Sequence, residues 1–159
     1  MPVVSNTSPL QYLHQTDTLF VLPKLFDRIE VPKAVVDEIR EGLSRGVSLP
    51  DTGDLPWVDV HEVSDRGTLS LVTRLGRGET EVLAVGLERA DPPLLLDDRD
   101  ARRHAQALGL RVTGTLGILI LAKERGILGE IRGVLNRLDA LRFRLSATTR
   151  ETALRLAGE

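Results

Sequence analysis

Short apolar runs alternate along this chain with longer segments in which apolar residues recur at helical spacing. The clearest run, Leu94-Leu95-Leu96, stops abruptly at acidic residues, as expected for a buried strand that ends at a site. Residues 57–63 alternate apolar and polar positions, which is typical of an edge strand. The pattern predicts five strands, at residues 2–5, 28–31, 57–63, 93–97 and 110–113.

Helices are predicted between the strands. Ser8 followed by Pro9 predicts the start of the first helix, with Ser8 as its cap and Pro9 as its first residue. Pro32 predicts the start of another helix that ends near Gly42, and the Gly, Pro and Asp content of residues 44–56 predicts a loop. Further helices are predicted at residues 18–26, 65–75, 78–88, 99–108, 114–124, 130–138 and 149–156.

Strands that alternate with helices predict an α/β fold with a mostly parallel sheet and helices on both faces. With 159 residues, the chain is long enough for one domain with a sizeable core. We expect a single domain over residues 1–159, with its core at about 2–135 and terminal helices beyond.

Composition narrows the functional classes. The chain has no Cys, which excludes disulfide and zinc–thiolate chemistry and suits a reducing cytoplasm. It lacks a secretory leader pattern and a run of about 20 apolar residues, so we expect no membrane association. Aromatic residues make up only 3% of the chain, so base stacking is not expected as a main binding mode.

The net charge of −2 hides an uneven distribution. Residues 1–98 carry 9 Lys or Arg against 17 Asp or Glu, whereas residues 99–159 carry 12 against 6. An acidic pocket that collects a metal ion beside a basic surface for an anionic polymer would explain this asymmetry. Solvated helix faces that happen to differ in charge would explain it equally well.

Polar and acidic residues follow the predicted strands at several points, and each has an ordinary structural explanation. Hydroxyl groups such as Ser8 cap helices, Glu38 fits a helix surface, and acids in a first turn favour the helix dipole. Together, however, these residues lie where the carboxyl ends of parallel strands build sites. Oxygen ligands of this kind suit Mg²⁺ or Mn²⁺. The residues concerned are Asn6, Thr7, Ser8, Glu38, Glu79, Glu81, Asp97, Asp98 and Asp100.

Four segments resemble PIN domains in their order and spacing. They are Val3-Val4-Ser5-Asn6-Thr7-Ser8-Pro9-Leu10, Val31-Pro32 with Glu38-Ile39, Gly78-Glu79-x-Glu81, and Leu95-Leu96-Asp97-Asp98. Gly114-Thr115-Leu116-Gly117, with Ala122-Lys123 and Gly126, is similar to bacterial and archaeal toxin nucleases of toxin–antitoxin pairs. The resemblance implies a three-layer α/β/α fold with a five-stranded sheet, ribonuclease activity that depends on Mg²⁺ or Mn²⁺, an antitoxin partner and a homodimer.

The resemblance also implies roles for individual residues. The family's four acidic positions fall on Asn6, Glu38, Glu79 and Asp98, which are the expected catalytic residues. Asn6 departs from the pattern, because many catalytic PIN domains have Asp there, and a neutral amide should hold Mg²⁺ less tightly. The expected metal ligands are Glu38, Glu79, Asp97 and Asp98, with Thr7, Ser8, Glu81 and Asp100 as accessory residues.

The basic second half of the chain supplies candidates for RNA binding, namely Arg99, Arg102, Arg103 and Lys123. Ordinary surface cations are the alternative for each of them. Three rival functions remain: a PIN-like module that binds RNA or regulates without cutting, a structural interaction subunit, and a receiver domain. A receiver domain fits poorly because Asn6-Thr7-Ser8 occupies the place where receivers carry acidic residues.

Overall fold

The computed structural model describes residues 3–64, 74–89 and 91–159. Within these ranges five strands form one sheet in the order β3-β2-β1-β4-β5, and every described pairing is parallel. The strands are β1 (Val3–Ser5), β2 (Ile29–Pro32), β3 (Val58–His61), β4 (Leu94–Leu95) and β5 (Val112–Thr113). The expected α/β architecture is therefore confirmed, with a sheet that is fully rather than mostly parallel.

The described helices flank this sheet. They are α1 (Thr7–Gln15), α2 (Val21–Phe26), α3 (Lys33–Ser44), α4 (Arg77–Glu88), α5 (Arg99–Ala107), α6 (Thr115–Glu124), α7 (Arg132–Ala140) and α8 (Ala147–Leu156). A short 3-10 turn, Thr52–Asp54, precedes β3. Because helices cover a parallel sheet on its faces, its inner strands are nearly continuous apolar runs. Val3, Val4, Leu94, Leu95 and Leu96 are accordingly all inaccessible to solvent.

The first helix begins two residues earlier than predicted. Asn6, with an extended backbone (φ −81°, ψ 176°), is the N-cap, and α1 starts at Thr7. The prediction that Ser8 caps the helix and that Pro9 is its first residue is therefore wrong. Pro9 is tolerated as the third helical residue because the first four N–H groups of a helix have no partner within the helix.

Other boundaries also differ from the sequence prediction. The predicted helix at 18–26 is shorter, because the Thr18 hydroxyl bonds to the Leu13 carbonyl and α2 begins only at Val21. The predicted loop at 44–56 contains the 3-10 turn, which the Asp51 side chain caps through the Gly53 N–H. The helix predicted at 65–75 lies mostly outside the described residues.

The predicted edge strand is confirmed as β3, which pairs with β2 alone among the described strands. The predicted inward–outward alternation is not observed, since Val60 is 54% exposed and Val58 is half-buried. The two middle positions of the strand, Asp59 and Val60, are exposed.

The last residue of the chain holds the terminal helices in place. The Glu159 carboxylate accepts hydrogen bonds from the N–H groups of Ile131 (2.7 Å) and Arg132 (3.2 Å) at the start of α7. No helix among the described residues combines the length and apolar character needed to cross a membrane.

Candidate functional site

The candidate site begins where the two innermost strands end. Ser5 of β1 lies opposite Leu95 of β4, and the Asn6 N–H donates to the Leu95 carbonyl (3.0 Å). Asn6 and the segment that starts at Leu96 therefore leave the sheet side by side at its carboxyl edge. Ligands bind at this edge in open α/β sheets.

Asn6 is buried at this edge, with 2% of its surface exposed. Its Nδ2 atom lies 3.5 Å from Glu79 Oε1, a long hydrogen bond. Its Oδ1 atom is buried and has no hydrogen-bond partner among the described residues. Buried polar atoms are normally satisfied, so an unpaired oxygen beside a carboxylate marks a place that a ligand or ion would complete.

Glu38 is held in place from two sides. Thr7 Oγ1, in the first turn of α1, donates to Glu38 Oε2 (2.6 Å), and the Gly78 N–H, in the first turn of α4, donates to Glu38 Oε1 (3.1 Å). Both carboxylate oxygens thus accept a hydrogen bond from a different helix. Gly78 is not among the predicted site residues, although it lies directly before Glu79 in the Gly-x-Gly sequence of residues 76–78.

Glycine at two positions of that turn allows the close approach of the acids. A Cβ atom on Gly76 would lie 2.7 Å from Glu79 Oε2, and one on Gly78 would lie 2.6 Å from Glu38 Oε1. These distances are shorter than van der Waals contact. The glycines therefore leave the space that Glu38 and Glu79 occupy.

Glu81, the alternative to Glu79 in the sequence analysis, contacts the start of a helix. It is 4% exposed, and its Oε1 atom accepts a hydrogen bond from the Ala34 N–H (2.9 Å) in the first turn of α3. Pro32, the N-cap residue of α3, has no side-chain acceptor of its own. Glu81 therefore supplies the cap, whereas Glu79 lies beside Asn6.

The acids after β4 are engaged as helix caps. Asp97 accepts from the Thr115 N–H and from the Thr115 hydroxyl, each at 2.7 Å, at the start of α6. Asp98 is the N-cap of α5 and accepts from the Ala101 N–H (2.9 Å). Asp100 is exposed in the first turn of the same helix. Asp98 therefore caps the helix that directly follows it, whereas Asp97 caps a helix that begins 18 residues later.

Burial dominates the protonation of Asp97. Desolvation raises its pKa above the ordinary value, although the two hydrogen bonds from Thr115 and the nearby Arg102 guanidinium act in the opposite direction. Arg102 itself donates to the Leu96 carbonyl (3.1 Å). The side chains of Asp97 and Arg102 are thus fixed at the end of β4.

Three of the four predicted RNA-binding cations lie together. Arg99, Arg102 and Arg103 line a cavity of about 360 Å³ beside Asp97 and Gln106. Lys123 lies eight residues along α6 from Thr115, roughly 12 Å away at the helical rise per residue. There it donates to the Gly129 carbonyl (2.8 Å) and pairs with Glu159 (3.6 Å).

The donor atoms of this edge fit a hard divalent cation only in part. Within residues 3–64, 74–89 and 91–159, no group of three or more His, Asp or Glu side chains is arranged to hold a metal ion. However, Mg²⁺ commonly binds through one or two carboxylates and keeps several waters. The unpaired Asn6 oxygen and the Glu79 carboxylate meet that smaller requirement.

Comparison with known families agrees with this geometry. The PIN-domain model matches residues 2–159, nearly the whole chain. The chain belongs to the PIN-domain family. Its parallel five-stranded sheet flanked by helices is consistent with a PIN fold, and membership indicates a nuclease-type function with RNA as the suggested substrate. PIN domains generally depend on divalent metal ions. No curated protein matches this chain.

Proposed function

We propose that this PIN-domain protein is an endoribonuclease that depends on Mg²⁺ or Mn²⁺. The observation that carries the proposal is the buried, unpaired Asn6 oxygen beside the Glu79 carboxylate, at the carboxyl edge of the parallel sheet. Both are oxygen donors of the type that these cations prefer. Family membership makes RNA cleavage the chemistry to test first.

In this proposal Asn6 and Glu79 hold the cation, and Glu38 adds negative charge from a position fixed by Thr7 and Gly78. Asp97 and Asp98 lie at the border of the site, after the end of β4. A bound divalent cation polarises a phosphoryl oxygen and lowers the pKa of a coordinated water. Arg99, Arg102 and Arg103 contact the phosphate backbone and place the scissile bond.

Cleavage of a labelled RNA in the presence of Mn²⁺ tests the proposal. We expect Glu79→Gln and Glu38→Gln each to reduce the cleavage rate by about 100-fold, the usual effect of removing one electrostatic stabiliser of the transition state. Glu41→Gln is the matched control, because Glu41 is an exposed residue of the same helix and forms an ion pair with Arg45. Equal rates in all four proteins would contradict the proposal.

A second candidate is a PIN module that binds RNA without cutting it. It is favoured by the amide at position 6 and by the use of Asp97 and Asp98 as helix caps. A protein of this kind would bind RNA yet show no Mn²⁺-dependent cleavage and no rise in melting temperature at millimolar Mn²⁺. A metal titration with both readouts therefore separates the two functions.

We propose further that the protein is the toxin of a toxin–antitoxin pair, acts in the cytoplasm and forms a homodimer. The support is the resemblance of the Gly114-Thr115-Leu116-Gly117 segment to such toxins and the absence of Cys. Controlled expression in a bacterial host should arrest growth, and co-expression of the product of the adjacent gene should restore it. Normal growth without that product would contradict the toxin role.

A further inference from the structure

A second cavity adjoins the candidate site on the far side of Asp97. Its volume is about 270 Å³, and its walls include Asp97, Arg102, Gly114, Leu116, Phe143 and Arg144. Phe143 and Arg144 come from the segment between α7 and α8, far from the acidic motifs in the sequence. Neither residue belongs to the four segments that resemble PIN domains or to the predicted site residues.

The charge of this cavity suits an anion. Arg102 and Arg144 both line it, and Arg144 is exposed, with no ion-pair or hydrogen-bond partner among the described residues. The Asp97 carboxylate takes its two short hydrogen bonds from Thr115 rather than from either guanidinium. Arg102 donates from Nη1 to the Leu96 carbonyl (3.1 Å), which leaves the other N–H donors of its guanidinium, together with those of Arg144, for an anion. Guanidinium is the preferred partner of phosphate.

Part of the cavity wall is apolar. Phe143 and Leu116 both line the cavity. The Phe143 ring is half-buried and forms a T-shaped pair with the Tyr12 ring, with 4.9 Å between ring centroids and an interplanar angle of 84°, and this contact restrains the orientation of the ring. An aromatic ring next to cationic groups is the combination by which proteins bind unpaired bases and their phosphates.

Asp97 and Arg102 line both cavities, so the two cavities adjoin at these residues. Arg99 and Arg103 line one of the cavities, and Phe143 and Arg144 line the other. A nucleic acid strand that passes the candidate site would contact both sides. A cavity of about 270 Å³ can admit one unpaired nucleotide but not a duplex, whose bases are stacked.

We propose that the cavity of Phe143 and Arg144 binds one nucleotide of single-stranded RNA next to the cleavage position, a role that rests on the proposed nuclease function. Arg144, together with Arg102, contacts the phosphate, and the Phe143 ring packs on the base. The site thereby selects unpaired RNA over duplex RNA. A single ring is consistent with the low aromatic content, since phosphate contacts supply most of the affinity.

Binding of a fluorescent single-stranded RNA 12-mer to the full chain in EDTA tests this site, because chelation prevents cleavage. We expect Arg144→Glu to weaken binding at least tenfold and to reduce the salt dependence by about one counterion. Phe143→Leu should weaken it about fivefold, within the range for loss of one stacked base. Arg125→Glu is the matched control, an exposed arginine at the opposite end of α6; it should change binding less than twofold.

Equal effects of Arg144→Glu and Arg125→Glu, or equal affinity of the wild-type protein for duplex RNA, would overturn the proposal. Arg144 is exposed, so its substitution does not depend on the Phe143 packing and decides the outcome if Phe143→Leu fails to fold. Binding that depends on Arg144 in a protein that never cleaves with Mn²⁺ would refute the nuclease function and keep the nucleotide site. Cleavage that Arg144→Glu leaves unchanged, with unchanged binding, would refute the nucleotide site alone.

Discussion

Asn6 sets the electrostatics of the candidate site. Its amide replaces the acidic group found in many PIN domains, so the position carries no charge. Its oxygen is buried without a partner among the described residues, which typically costs about 1–3 kcal/mol. A cation that bound this oxygen would recover the lost interaction, whereas the neutral group attracts it less strongly than a carboxylate would.

Replacement of Asn6 by Asp should therefore have opposite effects without and with metal. Without metal, a buried carboxylate at position 6 beside the half-buried Glu79 should lower the free energy of unfolding by about 1–3 kcal/mol, as other uncompensated buried groups do. With saturating Mn²⁺, the variant should gain more in melting temperature than the wild type. Thermal unfolding with and without Mn²⁺ measures both effects.

Asn136→Asp is the control for the metal response, since Asn136 is exposed on α7, where its Oδ1 atom accepts a hydrogen bond from Arg150, and the substitution should not change the Mn²⁺-induced shift. An Asn6→Asp variant with the same Mn²⁺-induced shift as the wild type would show that position 6 is not a ligand.

Asp97 should give the free energy of unfolding an unusual dependence on pH. Burial raises its pKa in the folded protein above the unfolded value of about 4. The folded state therefore binds the proton more tightly, and this group's stabilising contribution is complete below about pH 4 and is lost as the pH rises through the folded pKa. Most carboxylates in proteins have the opposite effect.

We expect the stability of the wild type relative to Asp97→Asn to fall as the pH rises from about 4. The measurement is the free energy of unfolding by urea at a series of pH values for both proteins. A difference that grows in favour of the wild type as the pH rises would contradict the predicted sign.

At the residue scale, the sequence predicts part of the site. Asn6 and Glu79 could be brought together because each lies in a motif at a strand end or helix start. The hydrogen-bond partners of Asp97 and Glu81 could not be predicted, because these acids accept hydrogen bonds from N–H groups that lie 18 and 47 residues away in the sequence. Such contacts depend on how helices pack, which no local pattern reports.

At the element scale, distant acids cap several helix starts. Glu81 caps α3, Asp97 caps α6 and Glu159 caps α7. The residues that precede these helices are Pro32, Gly114 and Ile131, none of which has a side-chain acceptor. Negative charge near a helix N-terminus also interacts favourably with the helix dipole. These helices are therefore capped through tertiary contacts, and not by local residues such as Ser8, for which the sequence predicts a capping role.

Removal of one of these capping contacts should lower the free energy of unfolding. Thr115→Val retains the shape of the side chain but deletes the hydroxyl that donates to the buried Asp97, and we expect a loss of about 1–3 kcal/mol in the free energy of unfolding. Thr152→Val is the control, because its hydroxyl bonds to the Thr148 carbonyl on the surface of α8. Urea denaturation measures both, and equal losses would contradict a specific role for the Asp97–Thr115 contact.

At the scale of the whole molecule, alternation of apolar runs and helical segments was sufficient to predict a parallel five-stranded sheet. Strand lengths were less predictable: β4 and β5 have two residues each, although the apolar runs are longer. An apolar run reports burial, and Leu96 remains buried after β4 has ended. Sequence therefore predicts which segments enter the core better than where their pairing stops.

The distribution of charge along the sequence likewise predicts a region of the structure but not the position of each residue. The basic second half correctly indicated a cluster, since Arg99, Arg102 and Arg103 share one cavity. Lys123 belongs to the same basic half, but its contacts are with Gly129 and Glu159 at the other end of α6. Its RNA-binding role stays a prediction. Charge counts identify a basic region without assigning each cation to a face.

The turn before α4 restricts how this protein can diverge during evolution. Any larger residue at 76 or 78 meets the oxygen of an acid, whereas Arg77 between them is exposed. Homologous chains that keep Glu38 and Glu79 should therefore retain both small residues and vary freely in the middle. Relatives that have lost the acids would be released from this constraint, so the spacing of variable and invariant codons here would reveal the history of the site.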